Sequence, residues 1–403
     1  MKRHGWLLLL AVLVLLPIGR MAELPLLLAA LGGLWLLIRE PRALWADRRV
    51  HLACGLFIAY WLPQLLSAFG AVDPGKAWTE VAADLRFLPF AIFAIAVLPD
   101  AATLQRLLTG SALILGLWLA DAVVQMLSGF SFGGPATADR LSGIFGADNL
   151  KLGPVLATLA PLLLWPCGRR FGVPATLALA IVLLAAIMLA GSRAAWVSYA
   201  LVLLALIWRS APSALLALRN GILVTLAVGV MMLTAYQGSE RFALRMDRTA
   251  ALLAGTAEDV DTALAGRLPI WRTALVMAAA NPVSGVGVRG FRRAYPEYAA
   301  ADDPWVGWNG DPGEGAFHAH QIVLEIIAET GFLGLALWLW GAWLAIVAWS
   351  RSHAEVRRDA FPVALALAVM VFPINTHLAF YSSFWGLTLW WLLALYVAAL
   401  RRP

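Results

Sequence analysis

Apolar residues fall along this chain in about twelve runs, most of them long enough to carry a helix across the roughly 30 Å hydrocarbon core of a bilayer. The runs occupy 5–19, 22–38, 50–70, 82–98, 108–127, 152–166, 174–191, 194–208, 214–235, 320–349, 359–376 and 379–400. The pattern predicts an all-α polytopic membrane protein with about 12 transmembrane helices. One long hydrophilic stretch, 236–319, interrupts them and divides the chain into three parts. These are 1–235 with helices one to nine, 236–319 as a large loop, and 320–403 with helices ten to twelve. Inside the loop, RLPIWRTALVMAAANP reads as an amphipathic helix stopped by Asn281 and Pro282. The SGVGVRGF after it, and the Gly, Asp, Trp and Pro-rich stretch that follows, read as an ordered loop.

Composition agrees. Of 403 residues 62% are hydrophobic and 13% charged, a balance no single soluble core can bury. The net charge of +6 is carried by arginines scattered between apolar runs, so nucleic acid is excluded as a partner and membrane lipid is the expected surroundings. Two cysteines, Cys54 and Cys167, make neither a disulfide framework nor a metal cluster. The opening MKRHG with its apolar run lacks an A-x-A cleavage pattern and reads as a retained first span.

Charge also orients the chain, because Lys and Arg in short loops favour the cytoplasm. With the N-terminus inside, sixteen of the 30 basic residues fall on inner loops and six, among them Arg140, Lys151 and Arg193, on short outer loops. That asymmetry predicts an even number of crossings, both termini cytoplasmic and the 236–319 loop outside. It also splits 174–208 in two, with an outer turn at Gly191, Ser192 and Arg193. An arginine at so tight an outer turn is either a functional group or a side chain snorkelling to lipid phosphates.

Candidate chemistry gathers on the same side. Gly285, Gly287 and Gly290 satisfy G-x-G-x-x-G, but no strand precedes them and a tight turn accounts for them. His318 and His320, placed on one helix, would point to different faces, which argues against a shared metal. Gln321, Glu325 and Glu329 form a polar stripe. A histidine near a helix N-terminus is held neutral by the dipole and suits a general base, or simply caps the helix. Arg193, Arg267 and His320 all fall outside. Two guanidiniums can grip a diphosphate without a metal while a neutral histidine deprotonates an attacking hydroxyl.

HQIVLEIIAETGFLG resembles the signature of the O-antigen ligase and polymerase superfamily: His320, then Gln321 where Asn or Ser is commoner, then Gly331 and Gly334. RLPIWRTALVMAAANPVSGVGVRGF is similar to the family's outer-loop pattern, AGSRAAW to its outer-turn arginine, and RLSGIFGADNLKLG to its loop before a span. In that last loop Ala147, Asp148 and Asn149 replace the usual Asn-Pro-Asn. The resemblance implies an inverting, metal-independent membrane glycosyltransferase with no cofactor, sited at the periplasmic face of the inner membrane. Its donor would be undecaprenyl-diphosphate-linked O-polysaccharide and its acceptor a sugar of lipid A core. By position, Arg193 and Arg267 would hold the diphosphate and His320 would activate the acceptor, with His318, Arg289, Arg140 and Glu329 as neighbours. An O-antigen polymerase, a protein O-oligosaccharyltransferase and, from another class, a lipid or polysaccharide transporter are the competing expectations. His377 is expected to be interfacial.

Overall fold

The structure is a computed structural model that describes residues 4–136, 140–147, 149–238, 243, 246–247, 264–373 and 379–400. His377 and most of 239–263 lie outside the described residues. The described chain is almost wholly helical. In order come α1 (Trp6–Leu15), α2 (Glu23–Arg39), α3 (Pro41–Trp45), α4 (Arg48–Ala68), α5 (Pro74–Asp84), α6 (Phe87–Val97) and α7 (Ala101–Ser128). After a two-residue hairpin at 130–135 follow α8 (Leu152–Leu189), α9 (Arg193–Ser210), α10 (Ala214–Gly238), α11 (Leu268–Ala280), α12 (Phe291–Tyr298), α13 (Ile322–Ser350), α14 (Ala354–Met370) and α15 (Ser383–Ala399).

Local sequence explains most of these boundaries. Asp47, Asp73, Asp100, Ser192, Gln321 and Ser382 each stand before a helix and accept a backbone N–H from its first turn. Among the described residues six helices, α4, α7, α8, α9, α10 and α13, are long and apolar enough to cross a membrane. Helices occupy the other apolar runs too, but they are shorter; α1 has 10 residues and α15 has 17.

Two of the long helices are broken. At 38 residues α8 would run about 57 Å if straight. Gly172, at φ 79° and ψ −174°, and Pro174 interrupt it. A Cβ placed on Gly153 would lie 3.6 Å from the Ile187 carbonyl, so the two limbs fold back on each other as the separate runs 152–166 and 174–191 predict. The expected single helix over 320–349 is corrected at both ends of its first part. It starts at Ile322, and Gly331, at φ 68° and ψ −172°, breaks it.

Loops that the charge pattern assigns to the inner side meet at one end of the molecule. There Arg169 lies 3.8 Å from Asp359, and Arg209 covers the rings of Trp165 and Phe361. The opposite end carries 264–319, which has its own small core of Ile270, Ala274, Met277, Phe291, Tyr295 and Ala319. Asp303 stitches that core by accepting the Tyr295 hydroxyl and the Trp305 N–H, each at 2.9 Å. This order agrees with the prediction of a structured loop.

Candidate active site

The site is built around the Gly331 break. Breaking α13 leaves backbone groups at 328–333 without helical partners, and the Pro282–Val288 segment supplies them. Phe332 N–H donates to the Pro282 carbonyl at 2.8 Å, while Val286 and Gly287 N–H groups donate to the carbonyls of Ala328 and Glu329 at 2.9 and 3.0 Å. A Cβ at Gly331 would sit on the Val283 carbonyl. On its other side the segment docks on the end of α4: Val72 N–H donates to Val286 at 2.9 Å, and Val288 N–H to the Ser67 hydroxyl at 3.1 Å. The glycines of SGVGVRG therefore make a close backbone junction, in keeping with the turn expected of them.

Glu329 finishes this junction. Buried on α13, it accepts the N–H of Arg289 at 2.8 Å and of Phe291 at 3.4 Å, one on each carboxylate oxygen. Arg289 is thereby held at φ 63°, and its guanidinium faces Glu80 at 3.7 Å. Burial raises the Glu80 carboxyl above its ordinary value, against the lowering pull of Arg289. Glu325, one turn earlier on α13, accepts the Tyr381 N–H at 3.3 Å. The stripe read from the sequence thus has distinct duties: Gln321 caps α13 and donates to the Pro373 carbonyl at 2.7 Å, Glu325 holds 380–381, and Glu329 holds 289–291.

The second half of the site is cationic and less buried. Arg193 opens α9 directly after the Gly191 turn, where the sequence places it, and Ser192 caps the helix. Arg267 precedes α11 and is half-buried. Burial and, next, the charge of Arg193 pull its guanidinium below the ordinary arginine value, so the two arginines share one electrostatic environment. Leu141 N–H donates to the Leu189 carbonyl at 3.1 Å, which sets Arg140 beside the same turn.

The histidines require a correction. They do not lie on opposite faces of a helix, because Gln321 caps α13 and His320 precedes it in the left-handed region at φ 52°. This brings the rings of His318 and His320 together, centroids 3.9 Å apart and planes 43° to one another. The spacing argument against their acting jointly therefore fails. Among the described residues no group of three or more His, Cys, Asp and Glu side chains is gathered as metal ligands would be.

Trp271, one turn into α11 from Arg267, donates its indole N–H to the Ala319 carbonyl at 3.0 Å, between the two histidines. One helix therefore positions Arg267 and fixes the histidine segment. The structure brings Arg193 and Arg267 together, sets Arg140 beside the Arg193 turn, and ties the His318–His320 segment to the Arg267 helix through Trp271; Arg289 and Glu329 belong to the junction at Gly331. Sequence reading did not single out Trp271 for this bond, nor Glu80 and Ser67, since their partners lie 48, 209 and 221 positions away.

Residues 178–339 match a family model described as O-Antigen ligase, a stretch that contains Arg193, Arg267, His318, His320, Arg289 and Glu329. No curated protein sequence matches the chain.

Proposed function

We propose, from the premise that this chain belongs to the O-antigen ligase superfamily, that it is an O-antigen ligase. It moves O-polysaccharide from undecaprenyl diphosphate to a sugar hydroxyl of lipid A core. In this reading the chain crosses the inner membrane about twelve times with both termini in the cytoplasm, and the loop end faces the periplasm. The meeting of Arg169, Arg209 and Asp359 at the opposite end supports that sidedness.

One observation carries the reading: two half-buried arginines from distant parts of the chain share one electrostatic environment, and Trp271 ties the histidine pair to the helix of one of them. Like charges held together are relieved by an anion, and a diphosphate offers each guanidinium a bidentate partner. In the transfer, His320 takes the proton of the acceptor hydroxyl. The hydroxyl oxygen bonds to the anomeric carbon from the face opposite the leaving group, with inversion. The bond from that carbon to the diphosphate oxygen breaks, and Arg193 and Arg267 stabilise the charge that undecaprenyl diphosphate carries away. His318, packed against His320, positions its ring, and Arg140 adds positive charge beside Arg193. No metal is needed where guanidiniums neutralise the leaving group.

The test is transfer by the purified protein given undecaprenyl-diphosphate-linked polysaccharide, lipid A core and a chelator. Wild type is expected to transfer at full rate, and His320→Ala to lose about a hundredfold or more. Full activity of His320→Ala removes the base, and loss on chelation removes the metal-free mechanism. Elongated donor chains in place of glycosylated lipid A would make the protein a polymerase, and movement of intact donor across the membrane would make it a transporter.

A further inference from the structure

Two buried polar side chains on α7 take no part in the reaction described above. Asp121 and Gln125 lie one turn apart near the C-terminal end of the helix, at 5% and 1% exposure. Asp121 accepts the Phe132 N–H at 2.8 Å. The Gln125 oxygen accepts two N–H groups, from Ser142 at 3.0 Å and Gly143 at 2.7 Å. Its amide nitrogen donates to the Gly134 carbonyl at 3.3 Å and to the hydroxyls of Ser131 and Ser142 at 3.2 and 3.3 Å. One side chain therefore joins Gly134 to Ser142, which flank Arg140 in the chain, and uses every donor and acceptor that a primary amide has.

The two arms are tied to each other as well. Ser131 Oγ lies 3.0 Å from the carbonyls of both Gly134 and Gly143. A Cβ on Gly133 would sit on the Gly143 carbonyl, so the two backbones are in direct contact. From this clamp the bonding continues to the cationic half of the site. Leu141 N–H donates to the Leu189 carbonyl at 3.1 Å, and Leu189 ends α8 just before the turn that carries Arg193. Burying an amide among apolar side chains costs free energy unless its hydrogen bonds are met. Here they are met by backbone groups that this loop conformation presents, so the amide favours one placement of the loop over others. An apolar residue of the same size would fill the space without choosing among them.

We infer that Gln125 is a positioning residue for the diphosphate site. Its amide holds both flanks of Arg140 and, through Leu141, sets that arginine against the Arg193 turn, where it helps to hold the diphosphate of the lipid donor. Gln125 acts through the loop and does not itself touch the donor. The inference rests on the ligase reading for the identity of the anion, and donor binding can be read without turnover.

The experiment measures binding of undecaprenyl diphosphate to the detergent-purified full chain for Gln125→Met, Arg140→Gln and the double variant. Methionine keeps the length of the side chain and removes its hydrogen bonds. Each single variant is expected to weaken binding about tenfold, the loss of one charge-assisted hydrogen bond to the diphosphate. The double variant is expected to bind within about twofold of Arg140→Gln alone, because displacing the loop costs nothing more once the arginine is gone. Losses that multiply in the double variant would mark a merely structural role and overturn the proposal, as would unchanged affinity of either single variant. Ser131→Ala, which removes the hydroxyl between the two arms, serves where Gln125→Met does not fold. It is expected to weaken binding about threefold, again without adding to Arg140→Gln. If wild type binds the lipid and transfers nothing, the ligase reading fails while the coupling of Gln125 to Arg140 stands. If wild type transfers and the losses multiply, the ligase reading stands and the positioning role fails.

Discussion

The two breaks in long helices share a backbone conformation and differ in everything around it. Gly172 and Gly331 both have φ near 70–80° with ψ close to 180°, a region that essentially only glycine occupies. At Gly172 the space beside Cα is open, with Pro174 Cδ the nearest atom at 3.9 Å, and the break does one thing, reversing the chain. At Gly331 the same space is filled by the Val283 backbone. There the break exposes peptide groups that a distant loop needs, and the loop carries Arg289 and leads on from the helix that positions Arg267. A glycine can be required by conformation alone or by conformation and a neighbour together, and the second kind marks the part of the fold that sets the site.

The largest effect that should separate them comes from alanine substitution. Gly172→Ala meets only backbone strain, on the order of 1–3 kcal/mol, and should lower thermal stability in detergent while leaving turnover per folded molecule near wild type. Gly331→Ala adds a clash with Val283, roughly another 1–3 kcal/mol, and should also abolish transfer in the protein that remains folded. Equal stability losses with equal activity would erase the distinction.

Glu329→Gln sharpens it further. One carboxylate oxygen becomes an amide N–H that must face a backbone donor, at a cost of about 1–3 kcal/mol. Turnover should fall with donor KM little changed if Glu329 acts only by positioning the 289–291 segment, whose N–H groups both its carboxylate oxygens accept. Protease sensitivity confined to that segment would report the loosened junction. A donor KM that rises while turnover stays at the wild-type level would instead place Glu329 against the substrate.

The smallest effect is expected from Trp271→Phe, which keeps most of the ring and deletes the bond to Ala319, worth about 1 kcal/mol. Acceptor KM should rise a few-fold because the histidine segment is less well fixed, with melting temperature almost unmoved. A melting temperature that falls as far as for Gly331→Ala would make Trp271 part of the loop core and not of the site.

Much of the architecture was legible in advance. Helix runs, the turn at Gly191, the α11 helix and its stop at Asn281 all depend on neighbours within a few positions, through apolar periodicity, an N-cap serine and a proline. The arginine at that turn could be singled out because the charge pattern made it anomalous. The histidine geometry could not. The apolar run placed His320 at the start of a helix, yet Gln321, whose amide oxygen accepts the Leu324 N–H at 2.6 Å, caps α13, and both histidines precede it with their rings packed together. The number of crossing helices was also read from apolar length; among the described residues six helices meet that length, one of them, α8, holding two of the predicted runs, and the helices in the remaining runs are shorter.

By itself, then, the sequence determined where helices form, where they turn and which polar residues stand at their ends, because those choices are settled by groups within one or two turns of each other. The tertiary structure alone decided that the Pro282–Val288 segment enters the break at Gly331, that Glu329 holds a loop forty residues away, and that Arg267 feels the charge of Arg193. Those are contacts between surfaces far apart in the chain. Their energy depends on burial and direction, which no local pattern of residues records.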